Sequence, residues 1–365
     1  MATEPRSKGW WSALAHAWAL IQNSIAPSGE RQPAPAQDEP VWPVTGKLLG
    51  KRGKKNNEDK KAKDISGIAC TTDEGFPRAG LVIDDETQFA QFVIVNDGEI
   101  VAGETVRLID DMFEGEPLEL DGEGVAYCDG FFYVVGSHGH PRDKYTQLDP
   151  VRDRARIDAL IAANSQLIRI QVDPATGRQT PGTSVQRSAL LAKLIAADPT
   201  LAPFQHRRLD DNGVTIEGIA IHSRRLYVGF RGPSIDGPRA VILSAALGAF
   251  FDGSPAEATL HLLPLGAGRG VRDLAPFGEG LLILAGPTAE EAGDYSIYFW
   301  DRTAPHAVLL KDLLRYTNDD GKPIKPEAIL PLDRTAERLR VLVMFDGAKE
   351  GAPRAIEMPS PDLSQ

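Results

Sequence analysis

Ile216-Glu217-Gly218-Ile219-Ala220 decides the fold, because the chain repeats it. Upstream counterparts are Ile65-Ser66-Gly67-Ile68-Ala69 and Gly122-Glu123-Gly124-Val125-Ala126. Downstream ones are Val271-Arg272-Asp273-Leu274-Ala275 and Pro326-Glu327-Ala328-Ile329-Leu330. The second position is Ser66, Glu123, Glu217, Arg272 and Glu327, at successive intervals of 57, 94, 55 and 55 residues. That period is longer than a helical solenoid repeat and close to that of a propeller blade.

A turn and a second apolar run follow each phrase. Cys128-Asp129-Gly130 separates Val125-Ala126-Tyr127 from Phe131-Phe132-Tyr133-Val134-Val135. Asp-Gly between two apolar runs is a strong hairpin signal. Leu226-Tyr227-Val228, Leu281-Leu282-Ile283-Leu284 and Leu339-Arg340-Val341-Leu342-Val343-Met344 take the same place in later repeats. Third and fourth strands are expected at Leu167–Val172, Ala240–Leu243, Thr259–Leu263 and Tyr295–Trp300. About four antiparallel strands per repeat make a propeller blade. The expectation is an all-β chain, a β-propeller of five blades with six as the alternative count. The 94-residue interval holds a helical insertion, with helices expected at Arg152–Ala163 and Arg187–Ala197. Val44–Leu49 is expected to supply a fourth strand to the last repeat and close the ring.

The boundaries read as a tryptophan-rich N-terminal segment over 1–26, a proline-rich linker over 27–43, the propeller over 44–358 and a tail over 359–365. Trp11, Leu14, Trp18 and Ile21 fall on one face of a helix that could dock a partner protein or a membrane surface. The competing readings are a signal peptide and a disordered tail. Glu4, His16 and Pro27 all depart from a leader pattern, so the cytoplasm is expected over the periplasm or secretion. A basic run of Lys51, Arg52, Lys54, Lys55, Lys60, Lys61 and Lys63 precedes the first phrase and reads as a solvated loop.

The 365 residues are 42% hydrophobic, and the net charge of −11 argues against general nucleic-acid binding. Two cysteines, Cys70 and Cys128, follow the first two phrases and read as small packing residues.

In an antiparallel hairpin the start of the first strand and the end of the second share one face of the disc. The phrase positions would therefore meet Asp84-Asp85-Glu86, Ser137-His138, Arg231 and Asp346 around one funnel. The expected ligand-binding set is Ser66, Glu123, His138, Glu217, Arg231, Arg272, Asp273, Glu327 and Asp346. Three readings compete for it. Glu123, Glu217, Glu327 and Asp85 supply the oxygens that a hard cation such as calcium requires. His138 with Glu123 or Glu217 supplies an acid and a base for a bound ester. Or the carboxylates are structural, neutralised internally by arginine. Gly136-Ser137-His138-Gly139-His140 could also place two histidines on one metal.

These phrases, with Tyr133-Val134-Val135-Gly136-Ser137-His138, Leu226-Tyr227-Val228-Gly229-Phe230-Arg231-Gly232-Pro233 and Leu282-Ile283-Leu284-Ala285-Gly286-Pro287, resemble the bacterial domain-of-unknown-function family numbered 3616. The resemblance covers roughly residues 44–358. It brings no established activity. A more distant similarity links the Glu-Gly phrases to phytase-like esterase and lactonase propellers. The expected function is binding of a small-molecule ligand or protein partner through the funnel, with a structural cation. The alternative is a metal-assisted ester or phosphoester hydrolase.

Overall fold

The computed structural model describes residues 39–52, 58–141, 148–290 and 293–362. The tryptophan-rich segment, most of the linker, and Lys54 and Lys55 of the basic run lie outside the described residues. The N-terminal part of the described chain forms β1 (Val44–Thr45), β2 (Leu49–Arg52) and β3 (Asp59–Lys61).

Five radial sheets follow. The first is β4 (Ile65–Cys70), β5 (Arg78–Asp84), β6 (Phe89–Asn96) and β7 (Glu99–Arg107). A two-strand hairpin, β8 (Met112–Phe113) and β9 (Glu116–Pro117), leads to the second. That sheet is β10 (Gly122–Cys128), β11 (Phe131–Gly136), β12 (Leu167–Gln171) and β13 (Gln186–Ser188). The third comprises β14 (Thr215–His222), β15 (Arg225–Ile235), β16 (Arg239–Ala246) and β17 (Ala258–Pro264). The fourth comprises β18 (Arg269–Phe277), β19 (Gly280–Pro287), β20 (Ser296–Trp300) and β21 (Val308–Asp312). The fifth has three strands, β22 (Lys325–Arg334), β23 (Arg338–Asp346) and β24 (Arg354–Pro359). This is the five-bladed propeller that the repeat predicts.

The phrase strands β4, β10, β14, β18 and β22 are innermost and pack on one another around the axis, β22 lying against β4. Their third position explains the glycines. A β-carbon added to Gly67 would sit 2.9 Å from Val125 N, and one on Gly124 would sit 2.9 Å from Ile219 N. On Gly218 it would sit 2.5 Å from Asp273 Cα. The inner strands meet backbone to backbone, and only a residue without a side chain fits. In the fourth blade Asp273 takes this position and turns the contact into a clamp. Its Oδ2 accepts from Ile329 N of the next blade at 2.7 Å, and its Oδ1 accepts from Leu274 N at 2.7 Å.

The apolar residues pack between blades. One core joins Leu81, Ile83 and Phe92 to Val125, Phe132 and Val134. Comparable cores lie between the second and third, third and fourth, fourth and fifth, and fifth and first blades. Each blade is therefore buried only when its neighbours are present, as in other repeat architectures. Cys70 is buried, Cys128 is partly buried, and both are free thiols. Burial pushes the Cys70 thiol up to about 12.

Ring closure differs from the expectation. Val44 and Thr45 do not join the last blade; β1 pairs parallel with Ile100 and Val101 on the outer edge of the first. The last blade is met instead by two isolated bridges, Val41 to Arg354 and Asp64 to Asp346, and Trp42 N donates to Pro353 O at 2.7 Å. Pro40 and Pro43 flank this contact. They lack the N–H that a longer ladder needs. Trp42 is buried among Leu48, Ile65, Leu330 and Met344, between the fifth and first blades. The long interval contains α1 (Arg154–Asn164) and α2 (Leu190–Ala197). The second helix starts later than expected because Gln186–Ser188 forms the outer strand of the second blade. Leu191 and Ile195 of α2 seal the core between the second and third blades.

Gly218→Ala forces a β-carbon onto the Asp273 backbone. The expected loss is about 2–3 kcal/mol of folding stability, as for an overpacked core. Urea unfolding of the full chain measures it.

Candidate functional site

A backbone irregularity repeats with the phrase. The β4–β5 pairing passes from Ile65–Asp84 to Gly67–Ile83 and skips Ser66. The same slip leaves out Glu123, Glu217, Arg272 and Glu327 in the other blades. A β-bulge frees a residue from the ladder and re-aims its side chain. Here five bulges on five innermost strands set one side chain per blade around the axis. All five are buried. The sequence revealed which residues these are, but not the bulges that present them.

The ring is not uniform. On the side of the third to fifth blades Glu217, Glu327, Glu290 and Asp346 each have a basic partner. Arg272 Nη2 pairs with Glu327 Oε1 and lies 3.5 Å from Glu217 Oε2. Arg231 Nη1 reaches Glu217 Oε1 at 3.1 Å, and its Nη2 reaches Glu290 Oε1 at 3.2 Å. Arg231 also donates to Thr288 O and Ala289 O at 3.1 and 2.9 Å, which fixes the guanidinium against the fourth blade. Lys325 Nζ bridges Asp346 at 3.1 Å and Glu290 at 3.6 Å. Burial disfavours the charge on Arg272, but Glu217 and Glu327 outweigh it and hold the guanidinium protonated.

On the side of the first two blades the composition reverses. One oxygen each from Asp64, Asp84 and Asp85 lie within 4.8 Å of one another. The same holds for Asp85, Asp121 and Glu123. Among the described residues no lysine or arginine side chain pairs with Asp64, Asp84, Asp85 or Glu123. Asp84 Oδ2 accepts from Lys63 N and Asp64 N at 3.2 and 3.3 Å, while its Oδ1 is buried without a partner. Asp85 Oδ1 is also buried and unpartnered. Burial, reinforced by Asp346, pushes Asp64 up to about 7. Burial pushes Asp84 up to about 7, against three backbone N–H bonds. Burial, then neighbouring carboxylates, holds Asp85 and Glu123 well above the usual carboxylate range. Glu123 and Glu217 are the leading pair across the ring. Asp64, Asp85 and Asp121 keep partial exposure, while Asp84 and Glu123 are buried.

Asp64 and Asp121 are functional candidates that the sequence reading passed over. Their signal is the residue immediately before each phrase: Asp64, Asp121, Thr215, Gly270 and Lys325. Its charge runs from acidic to neutral to basic around the ring and mirrors the division at the axis. Of the expected ligand residues, Asp273 is occupied as the inter-blade clamp, and Ser66 Oγ donates to Asp64 O at 3.4 Å.

His138 ends the second strand of the second blade. It is buried, with φ at +53°, a left-handed backbone. Nδ1 donates to Gly136 O at 2.9 Å, so Nε2 carries the lone pair, and Nε2 is buried without a partner. Burial lowers the imidazole to about 4, so the ring is neutral at physiological pH. The insertion holds this loop in place. Asn164 at the end of α1 donates to Ser137 Oγ at 3.2 Å and Gly139 O at 3.0 Å. His140 is partly exposed, with Nδ1 donating to Pro141 O at 3.1 Å. No group of three metal-ligating side chains among the described residues includes either histidine.

Some solved structures align over most of this chain. The chain is similar to an α-L-arabinofuranosidase from Podospora anserina at 9% identity and a TM-score of 0.40, covering 89% of this chain and 98% of that one. It is also similar to the GH43 endo-arabinanase from Bacillus licheniformis, at 10% identity, a TM-score of 0.37 and coverage of 88% and 98%. Hydrazine synthase from Kuenenia stuttgartiensis gives 14% identity, a TM-score of 0.35 and coverage of 88% and 71%. None of these likenesses lends the chain an activity. No curated protein sequence matches it. Residues 64–356, from Asp64 at the head of the first phrase into the last strand, match the family model described as Protein of unknown function (DUF3616), and the chain belongs to that family.

Proposed function

We propose that this propeller binds a small, positively charged ligand at the acidic half of its funnel. One observation carries the reading. On one side of the axial ring arginine and lysine pair with the carboxylates, whereas Asp64, Asp84, Asp85 and Glu123 on the other form no ion pair with a lysine or arginine among the described residues. Like charges held together in a buried setting raise one another's free energy, and a bound cation relieves it. Asp64, Asp85 and Asp121 are the partly exposed members of the cluster, so a ligand enters beside them.

A second reading, metal-assisted hydrolysis of an ester or phosphoester, draws on His138. A neutral imidazole with a buried, unpartnered Nε2 lone pair has the form that a general base needs. Glu123 or Glu217 would be its acidic counterpart. Absence of turnover across a broad ester and phosphoester panel, with divalent cations present, removes this reading and leaves the binding one intact.

Three outcomes are expected. The melting temperature of the wild-type chain rises with either divalent cations or a small organic cation such as spermidine, and Asp85→Asn with Glu123→Gln abolishes the rise. No shift with any cation at low ionic strength would overturn the proposal.

The second outcome concerns pH. Asp64 and Asp84 titrate higher in the folded chain than in the unfolded one, whose value is 3.8. Their contribution to stability is therefore full below that value and is lost as pH rises through about 7. Without cations, the melting temperature should fall between about pH 5 and about pH 8, and a bound cation should restore it at the upper end.

The third concerns the neutralised half. Arg272→Met leaves Glu327 buried without its partner and should cost about 3–5 kcal/mol. Adding Glu327→Gln should recover part of that loss in urea unfolding, while cation binding at the other half persists.

A further inference from the structure

We propose that the acidic half is a paired site for hard divalent cations, one held by Asp64, Asp84 and Asp85 and a second by Asp85, Asp121 and Glu123, with Asp85 shared. The inference rests on the binding reading above and specifies its ligand as metal ions of the calcium, magnesium or manganese class. Three lines carry it.

The first is spacing. In each triad the three oxygens lie within 4.8 Å of one another. A calcium ion takes oxygens at about 2.3–2.6 Å, so two ligands on opposite sides of it are about 4.6–5.2 Å apart. Three carboxylates can supply between three and six oxygens, and water fills the remaining positions that such ions accept.

The second is unused acceptor capacity. Asp84 is 4% exposed; one oxygen is fixed by two backbone N–H groups and the other is buried with nothing to bind. This is the arrangement of a ligand oriented from behind. Glu123 is 3% exposed and makes no side-chain hydrogen bond among the described residues. A buried carboxylate oxygen normally has a partner. Asp84 and Glu123 belong to different triads, so each triad contains a buried carboxylate lacking one. Asp85, common to both, also has a buried oxygen without a partner, and a carboxylate with two oxygens can serve two cations.

The third is charge. Asp64, Asp84, Asp85 and Glu123 pair with no lysine or arginine side chain among the described residues, and a divalent cation in each triad offsets the charge they carry when ionised. The opposite half of the funnel is already self-compensated by Arg231, Arg272 and Lys325, so it offers no competing sink for the cations.

Calorimetric titration of the chelator-treated full chain with calcium, magnesium and manganese tests the inference. Two equivalents of at least one metal are expected. Asp84→Asn should weaken one equivalent at least tenfold, Glu123→Gln the other, and Asp85→Asn both. Each variant should melt at or above the metal-free wild type, because an amide removes repulsion without changing shape. A single equivalent that Asp84→Asn leaves untouched would overturn the pairing. Metal-free variants that melt well below the wild type would show the carboxylates to be structural and overturn the metal assignment. If spermidine binds and no divalent metal does, this inference falls while the binding reading stands; if neither binds, both fall.

Discussion

Everything in this propeller follows from how closely its five inner strands approach one another. At Gly67, Gly124 and Gly218 the next blade's backbone occupies the space of a side chain. That approach leaves no room for a conventional channel lined by alternating strand residues. The residue before each contact is instead expelled from the ladder into a bulge and turned to the axis. Glycine at the third position and a functional side chain at the second are therefore two results of one packing constraint. The short phrase persists because steric exclusion and axial presentation both act on adjacent positions.

The constraint also sets the electrostatic problem. Five axial positions, all buried, hold Ser66, Glu123, Glu217, Arg272 and Glu327. Burying a charge is costly unless it is paired and hydrogen-bonded. The chain meets this at Glu217 and Glu327 by placing Arg272 in the ring and Arg231 above it. Arg231 spans Glu217, two carbonyls and Glu290, so the pair is fixed by geometry rather than by charge alone. Glu123 receives no such treatment. Among the neighbouring charges that raise it Glu217 acts most, and the cluster beside it adds Asp85 and Asp121.

Much of this was legible in the residues. Blade number and inner-strand identity were readable because the same phrase is written five times, with its glycine in three of them. The second-position charges were readable for the same reason. Their pairing was not, since Arg231 stands towards the far end of β15 and Glu290 in the loop after β19, and neither place carries a repeat. Asp64 and Asp121 escaped notice because each stands one residue outside the apolar phrase, where a search for periodicity stops. Asp273 looked like a rim carboxylate, yet its position is the glycine position, and backbone N–H groups there claim both of its oxygens. The role of Val44 and Thr45 was hidden for another reason: a two-residue parallel pairing leaves no local signature, whereas Pro40 and Pro43 do mark where pairing must stop. The left-handed loop at His138 is held by Asn164 of the insertion, which no local pattern announces.

The asymmetry of the ring is itself informative about selection on this chain. A second arginine near Glu123, or amides at Asp84 and Asp85, would relieve the crowded carboxylates without altering the backbone, as the Arg272 solution across the axis demonstrates. The fold thus contains a working method for neutralising this position and does not use it in the first two blades. Natural chains depart from local stability rules mainly where function requires it. Here the departure is confined to one arc of the funnel and is built from several elements that converge there. A purely structural arrangement would have no reason to leave one arc crowded with carboxylates while pairing those across the axis.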